Sequence, residues 1–429
     1  MKKRILAILM ALCMVMTVMP TALAEGDAEP QADTQTEVEK YVAQVDETYY
    51  TSLGSAIQAA AADGGTVTLL KDVESQYLIT IKGTVTIDLN GYNITFASNT
   101  GFRLDGYNAG DLTLIGSGTV EAKAYALSMT GSKEDDGKEF VAKVGEGVTL
   151  KSPYAVTIFQ NGDASYGVDL TVDGRLEGLA GIFVLGNITQ TEGNIPKISL
   201  SKTAEIEATG LGVAINGYAD VTVDGATITG INSAIEIRAG ELVINDGTFT
   251  ATATEYKENK NSSGTSVIGA ALAISQHTTK KNISVTINGG EFDGVYALRE
   301  TDVQNEDTTE NVDIVEITGG TFFGTVKSDD CDHYIKGGSF DESVDPEYLA
   351  EDRTVELNNN GTYTYHETVE DALAAADEGA VITDTTDPDA EPITVVTVTF
   401  EGAKEKPITV LPGTEIELPT PDDTRDEIF

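Results

Sequence analysis

The amino-acid sequence predicts an all-β protein whose body is a right-handed parallel β-helix, with a short capping helix before it and a small β segment after it. Three observations support this fold class. Short runs of alternating apolar and polar residues recur along the chain, glycine-containing turns separate them, and 43 glycines can supply tight corners. A solenoid of this kind also accommodates 429 residues without a larger globular core.

The first 24 residues have the pattern of a secretory signal peptide. Three basic residues, Lys2, Lys3 and Arg4, precede an apolar run to Met19, and small residues end at Ala24. The apolar run is short for a membrane span and has no basic flank after it. We therefore expect cleavage after residue 24, export from a Gram-positive cell, and no membrane insertion of the remaining chain.

Residues 25–48 are polar, and we expect them to form a flexible leader. The β-helix with its caps is expected at residues 49–365, and it opens with a helix. Ser52 can cap the start of this helix and Gly64 can end it. Its apolar positions are spaced by three and four residues and fall on one face: Leu53, Ala56, Ile57 and Ala60. This face would cover open strand edges.

One pattern recurs through the predicted β-helix: a short alternating strand, a glycine-containing turn and a second short strand. It occurs at residues 170–178, 221–230, 242–250, 285–294 and 315–324. The turn glycines Gly225 and Gly247 are 22 residues apart, about the length of three short strands with their turns. We interpret the longer spacings as insertions, notably 254–264 and 302–311. A sandwich of hairpins is the alternative, but such a repeat favours the solenoid.

The chain after the predicted β-helix divides into two parts. Residues 366–392 repeat the opening helix motif and continue into a linker rich in Pro and Asp. Residues 393–429 contain two β stretches, at 393–400 and 415–418, and we interpret them as part of a small β domain.

The charge of the chain excludes some partners. The formal net charge is −43, which disfavours nucleic acid and anionic lipid, since both need a basic surface. No Asp-x-Asp-x-Asp-Gly loop is present, and three widely spaced histidines disfavour a zinc site. We predict no cofactor and no metal site. The acidic charge is compatible with Ca²⁺ binding, which is the one alternative.

Three stretches resemble secreted surface proteins of Gram-positive bacteria of the pectin-lyase-like parallel β-helix type. They are YTSLGSAIQAAAADGGTVTLLKDV at 50–73, TVTIDLNGYNIT at 84–95, and the glycine-rich 317–365. The resemblance covers residues 40–366 and implies a β-helix and an extracellular location. The tail VTVTFEGAKEKPITVLPGTEIELPTP resembles the start of an internalin-type repeat of β-grasp form.

Some proteins of this type cleave acidic polysaccharides, which leaves an enzymatic alternative open. The weak catalytic candidates are Asp173, Asp224 and Asp246, each followed by a turn glycine, with Arg238 and Arg175 as neighbouring cations. Carboxylates stacked a few ångströms apart would raise one pKa and permit acid–base chemistry. Asp-Gly is also an ordinary turn former, and we favour this structural interpretation of the three aspartates.

Other side chains have both a functional and a structural interpretation. Cys331 has His333 two residues away, but no second motif supports a nucleophile, so we expect an inert thiol. Five tyrosines near predicted corners could form sugar platforms or pack in the core: Tyr107, Tyr125, Tyr154, Tyr166 and Tyr218. Phe249, Phe292 and Phe322 recur at one repeat position, which predicts a stacked core ladder.

The sequence therefore predicts a non-catalytic secreted or cell-surface protein, an adhesin or a stalk that faces glycans. Its expected partner is a glycan or another host or cell-surface ligand. A polysaccharide lyase or glycoside hydrolase acting on acidic glycans is the first alternative, and a structural spacer is the second.

Overall fold

Among the residues that it describes, the computed structural model of the protein is all-β apart from two short α-helices and one 3₁₀ turn, as the sequence predicts. It describes residues 40–105, 110–130, 140–160, 167–186, 195–261, 264–275, 281–301, 312–387, 389–399 and 407–416. The predicted signal peptide and most of the predicted leader lie outside the described residues. The end of the leader is not flexible as predicted, because residues from Ala43 onward form a hairpin.

The body is a solenoid-like stack in which each strand pairs in parallel with the strand one layer later. Leu170, for example, pairs with Ile198, which pairs with Val221, which pairs with Leu242. A layer is one passage of the chain over three faces, A, B and C, in that order. Glycines at positive φ turn several of the corners, among them Gly225 and Gly240.

Each face is a ladder of parallel strands. Face A contains Thr66–Leu69, Val85–Asp88, Leu112–Ile115, Phe140–Val144, Val168–Val172, Lys197–Ser201, the first halves of Ala219–Gly230 and Gly240–Ala251, Ile283–Ile287 and Val312–Ile317. Face B contains the whole strands Val73–Ser75, Ile94–Phe96, Gly118–Glu121, Val148–Lys151 and Ser339–Phe340. It also contains the first halves of four long strands, Arg175–Gly186, Glu205–Ile215, Glu291–Thr301 and Thr321–Lys327. The second halves of the two long face A strands complete it. Face C contains Ile79–Thr80, Thr100–Asp105, Tyr125–Thr130, Tyr154–Gln160, Ser233–Ile237, Ala270–Ser275 and the second halves of the four long face B strands.

Alternation along each strand sends apolar side chains inward and leaves the others outside, so the layers share one core. The predicted phenylalanine ladder is confirmed. Phe249, Phe292, Phe322 and Phe340 stack on successive layers of face B with ring centroids 4.8, 4.8 and 4.9 Å apart. All four are essentially buried, which makes them part of the core rather than a ligand site.

The first end of the stack is capped as predicted, with one correction. Helix α1, Leu53–Asp63, buries the four predicted residues, and Gly64 ends it in the left-handed conformation. Ser52 precedes the helix, but its side chain makes no capping hydrogen bond, so that prediction is wrong. A hairpin of Ala43–Val45 and Thr48–Tyr50 also lies here, and its first strand pairs antiparallel with Thr66–Leu69.

The second end is also closed by antiparallel strands. After a 3₁₀ turn at Pro346–Tyr348, strands Val355–Asn359 and Thr362–His366 form a hairpin, and Tyr363 pairs with Phe340. Strand Val381–Asp384 extends this sheet, Ile393–Thr394 follows it, and helix α2, Val369–Ala375, packs against it. The small sheet crosses the boundary that the sequence suggested at residue 365.

The remaining strands lie at the tail and on the outside of face C. In the tail, Val396–Val398 pairs antiparallel with Ile408–Val410, whereas the predicted stretch at 415–418 is not a strand in its described part. The predicted insertion at 254–264 forms the first part of an antiparallel hairpin of Lys257–Asn261 and Gly264–Ile268, here called the outer hairpin. It packs on face C with a small core of Val267, Ala270 and Ala273.

Candidate ligand-binding groove

The three predicted aspartates lie along the corner between faces A and B. Asp224 and Asp246 are register partners on adjacent layers, and both are exposed. Each is engaged in turn structure, since Asp224 accepts a hydrogen bond from Asn245 Nδ2 at 2.6 Å and Asp246 accepts one from Gly247 N at 2.9 Å. The structure therefore brings two of the three carboxylates together, in roles that suit a turn.

Asp173 lies apart from this pair, because Ser201 occupies the intervening layer and is the register partner of Asp224. Its carboxylate contacts Lys143 Nζ at 2.7 Å. Partial burial opposes ionisation of Asp173, but hydrogen bonds from Lys143 and Ser201 outweigh it and lower its pKa. A depressed pKa favours the carboxylate and disfavours a general acid.

The predicted cations lie on other faces. Arg175 is on face B, where it contacts Glu177, Glu205 and Glu207 on its own and the next layer. Arg238 follows the face C strand Ser233–Ile237 and is 4% exposed. Among the described residues, neither arginine contacts the aspartates at this corner. The catalytic assembly of the aspartates with Arg238 therefore stays a prediction without a supporting contact.

Face C instead carries aromatic side chains on its outer surface. Tyr125 and Tyr154 are register partners on adjacent layers, with ring centroids 5.8 Å apart, and Phe183 follows with its centroid 5.1 Å from Tyr154. The three rings are half-buried, so part of each remains open to solvent. Tyr218 is half-buried as well, and Tyr107 and Tyr166 lie outside the described residues.

The aromatic row leads into a groove of about 510 Å³ that crosses several layers of face C. Residues that share this outer surface line it: Tyr154, Leu179, Ala180, Phe183, Gly210, Leu211, Asn216, Asn232, Arg238 and Ser266. The lining is apolar at the aromatic end and polar at the other, the composition typical of small-ligand sites. Asn216 Oδ1 is buried and has no hydrogen-bond partner among the described residues, so a ligand in the groove can bond to it once the side chain turns outward.

At the polar end of the groove, Arg238 is held by a buried carboxylate. Its Nη2 donates to Glu236 Oε1 at 3.0 Å and to Ser266 Oγ of the outer hairpin at 2.8 Å. Glu236 also accepts from Val267 N of the hairpin at 3.3 Å, and its Oε2 has no hydrogen-bond partner in the described chain. Complete burial raises the pKa of Glu236, and the adjacent guanidinium opposes that shift. The guanidinium is thereby fixed at the wall of the groove.

A second charged network fixes the opposite side of the outer hairpin. Arg299 makes two bonds to Asp329, at 2.8 and 2.7 Å, and donates to Tyr256 Oη at 3.0 Å and Glu258 Oε1 at 3.3 Å. Tyr256 also donates to Glu258. Arg299 is 5% exposed, so these bonds operate largely out of water. They join the base of the outer hairpin to the turn that follows face C.

The turn at 328–330 is held by Glu300, whose side chain is buried. Glu300 Oε2 accepts from Ser328 Oγ at 2.9 Å, Asp329 N at 2.8 Å and Asp330 N at 2.9 Å. Its Oε1 has no hydrogen-bond partner among the residues described. Burial raises the pKa of Glu300 to about 7, although the three hydrogen bonds favour the ionised form. Glu300 therefore positions Asp329 for its contact with Arg299.

Other sequence candidates do not form a site. Burial raises the pKa of the Cys331 thiol to about 11, and His333 bonds through Nδ1 to Leu349 O. Within the described ranges, no group of three or more His, Cys, Asp and Glu side chains is placed to hold a metal ion. No helix there is long and apolar enough to cross a membrane.

A second trough of about 560 Å³ follows the corner between faces B and C. Its floor consists of small residues such as Gly178 and Ala208, and its rim carries Glu177 and Glu207. Both glutamates already contact Arg175, and no buried side-chain polar atom lacking a partner lies in the described lining of this trough. The face C groove is therefore the better candidate site.

Comparison with protein-family models, curated proteins and solved structures found no match.

Sequence reasoning identified Tyr125, Tyr154 and Arg238 but assigned them to separate roles. It missed Glu236, Asn216 and Phe183, because each occupies a position in a strand pattern that ordinarily faces solvent or ends a strand. The one available signal was the polar insertion at 254–264, since an insertion beside a stack must lie over one of its faces.

Proposed function

We propose that this protein is a non-catalytic, secreted or cell-surface right-handed parallel β-helix of the pectin-lyase-like type that binds a glycan in the face C groove. The observation that carries the proposal is the continuity of the aromatic row with the polar end of the groove. Sugar rings have an apolar face that packs on aromatic side chains, and hydroxyl groups that bond to polar ones.

The charges of the site are consistent with binding rather than with catalysis. Arg238 is the cation of the groove, and its carboxylate partner, Glu236, is fully buried beneath the outer hairpin. A general acid or base must reach the substrate within hydrogen-bond distance, which a fully buried carboxylate cannot do without rearrangement. The acidic surface as a whole would keep an exported protein soluble.

Glycan binding can be tested with the full-length chain on an array of plant and host glycans, followed by calorimetry on any hit. We expect Tyr154→Ala and Phe183→Ala each to weaken binding about tenfold, because each removes a stacking surface. Tyr77→Ala is the matched control, since Tyr77 is 81% exposed and lies outside the groove.

Absence of binding to every glycan would contradict the proposal and leave the structural spacer. The enzymatic alternative is tested in the same samples by assaying pectins, uronates and mucin glycans, with and without Ca²⁺, for new reducing ends and unsaturated products. Product release that is lost in Asp224→Ala would replace the proposal with a lyase or hydrolase.

A further inference from the structure

The groove on face C has one end that is closed. The outer hairpin lies across the layer of Arg238 and the next one, and it covers Ser233, Ala270 and Ala273, which are all fully buried. Ser266 of the hairpin forms part of the groove wall. A chain-like ligand that follows the groove from Tyr154 therefore meets the hairpin.

The opposite end of the groove is open in the described chain. Tyr125 extends the aromatic surface one layer beyond Tyr154. On the layer before Tyr125, its register partner is Thr100. Arg103 follows on the same strand, and its side chain is 42% exposed. No described element lies across these layers as the outer hairpin does across the later ones. In the part of the chain that the structure describes, the groove is thus open at the first layers and blocked at the last.

The outer hairpin that blocks the groove is bonded to face C at several points. Three sets of contacts hold the hairpin against face C: Arg238 with Ser266, Glu236 with Val267 N, and Arg299 with Tyr256 and Glu258. The two arginines are nine-tenths or more buried, and Asp329 fixes Arg299 from the other side. Since several charged groups would lose partners together, displacement of the hairpin is costly.

The closed end also carries the polar groups of the groove. Asn216 Oδ1 is a buried acceptor without a partner among the described residues, and Arg238 is held at the groove wall by bonds from its Nε and Nη2. A terminal sugar has more free hydroxyls than an internal one, because one of its linkage positions is unsubstituted. Glu236 balances the charge of Arg238, so an uncharged hydroxyl-rich sugar suits this position.

We infer that the groove binds the end of a glycan chain, with a neutral terminal sugar against Asn216, Arg238 and Ser266 and the preceding sugars on the aromatic row. This inference rests on the proposed glycan-binding function. It adds that chain interiors are excluded, because the hairpin blocks passage of a continuous polymer along face C.

The test compares glycans that differ in the number of chain ends per gram. Pectic galactan, xylan, amylose and mucin O-glycan chains are each compared intact and after partial acid hydrolysis, and binding of the full-length protein is measured per gram of glycan. An end-binding groove predicts that capacity per gram rises in proportion to the number of chain ends, about tenfold for a tenfold reduction in length. Unchanged or reduced capacity per gram would overturn the inference while the proposed function stood. Failure to bind any form would contradict the proposed function itself.

A variant locates the chain end in the groove. Asn216→Ala should weaken binding of the hydrolysed glycan about tenfold, because it removes the free acceptor. Asn282→Ala is the matched control, since Asn282 is exposed on another face and does not line the groove. Circular dichroism of each variant verifies the fold. Equal affinities for the two folded variants would contradict this placement of the terminal sugar.

Discussion

Single residues show how this stack combines an apolar interior with a few buried charges. Glu300 occupies the register position of Ile274 on the preceding layer, which would ordinarily hold an apolar side chain. It is tolerated there because its Oε2 accepts three hydrogen bonds from the turn at 328–330. One carboxylate at the edge of the core thereby defines the conformation of a turn.

Glu300 should make the stability of the protein depend on pH. Its folded-state pKa of about 7 lies above the value of about 4.3 expected in the unfolded chain. The folded state therefore binds the proton more tightly, and this contribution is present below about pH 4 and is lost as the pH rises through about 7. Its size is on the order of 3 kcal/mol.

Urea unfolding at several pH values, compared between the wild type and Glu300→Gln, isolates this contribution. The wild type should lose free energy of unfolding relative to the variant between about pH 4 and pH 7. A difference that stays constant over this range would show that Glu300 is not the group responsible.

Individual residues also show what the sequence could and could not predict. The four buried positions of helix α1 and the phenylalanine ladder were predictable, because both follow from a fixed spacing between apolar residues. The cap at Ser52 was not, since a suitable residue type at the right position does not determine where its hydroxyl points. Arg238 was named as a cation, but one of its partners, Ser266, lies in a hairpin 28 residues later in the chain, and periodicity contains no information on such contacts.

At the scale of elements, the outer hairpin is the feature that distinguishes face C from the other two. It is inserted between the face B half of Gly240–Ala251 and the face C strand Ala270–Ser275, and it packs over the preceding face C strand, Ser233–Ile237. The sequence located the insertion but could not assign it to a face. The groove runs from the aromatic row to the outer hairpin, where Ser266 forms part of its wall.

Arg299 should control how firmly the outer hairpin is held. In Arg299→Met, the side-chain volume is largely kept, but Asp329, Tyr256 and Glu258 lose their shared partner. We expect amide hydrogen exchange to increase within the hairpin, and the free energy of unfolding to fall by about 3 kcal/mol, as is usual when one partner of a buried ion pair is removed.

The control for this experiment is Lys257→Ala, which removes an ion pair with Glu255 on the exposed side of the same hairpin. Exposed pairs of this kind contribute little, so exchange should remain as in the wild type. Equal exchange in both variants would show that Arg299 does not anchor the hairpin.

The whole molecule combines a continuous core with a strongly acidic surface. Its formal charge of −43 is distributed over layers that lie about 4.8 Å apart, so carboxylates on adjacent layers are close neighbours. Some are paired, as Glu177 and Glu205 are with Arg175, but 70 acidic residues face only 27 basic ones. Repulsion should therefore oppose the compact state.

Salt should stabilise this protein. Raising NaCl from about 20 mM to about 500 mM shortens the distance over which exposed charges act, so the midpoint of thermal unfolding should rise by a few degrees. Scanning calorimetry measures this midpoint, and sucrose at matched osmolality controls for general solute effects. A midpoint that falls with salt would indicate that attractive ion pairs outweigh the repulsion.

The two ends of the stack have a consequence for the evolution of this molecule. A parallel strand edge is a template on which a further layer can form, within a chain or between chains. Here Ala43–Val45 lies antiparallel on the first face A strand, and Tyr363 lies antiparallel to Phe340 at the other end. The reversal of chain direction covers one parallel strand edge at each end. A duplicated layer between them would lengthen the molecule by about 4.8 Å and leave both ends unchanged, so length can vary among descendants while the terminators stay the same.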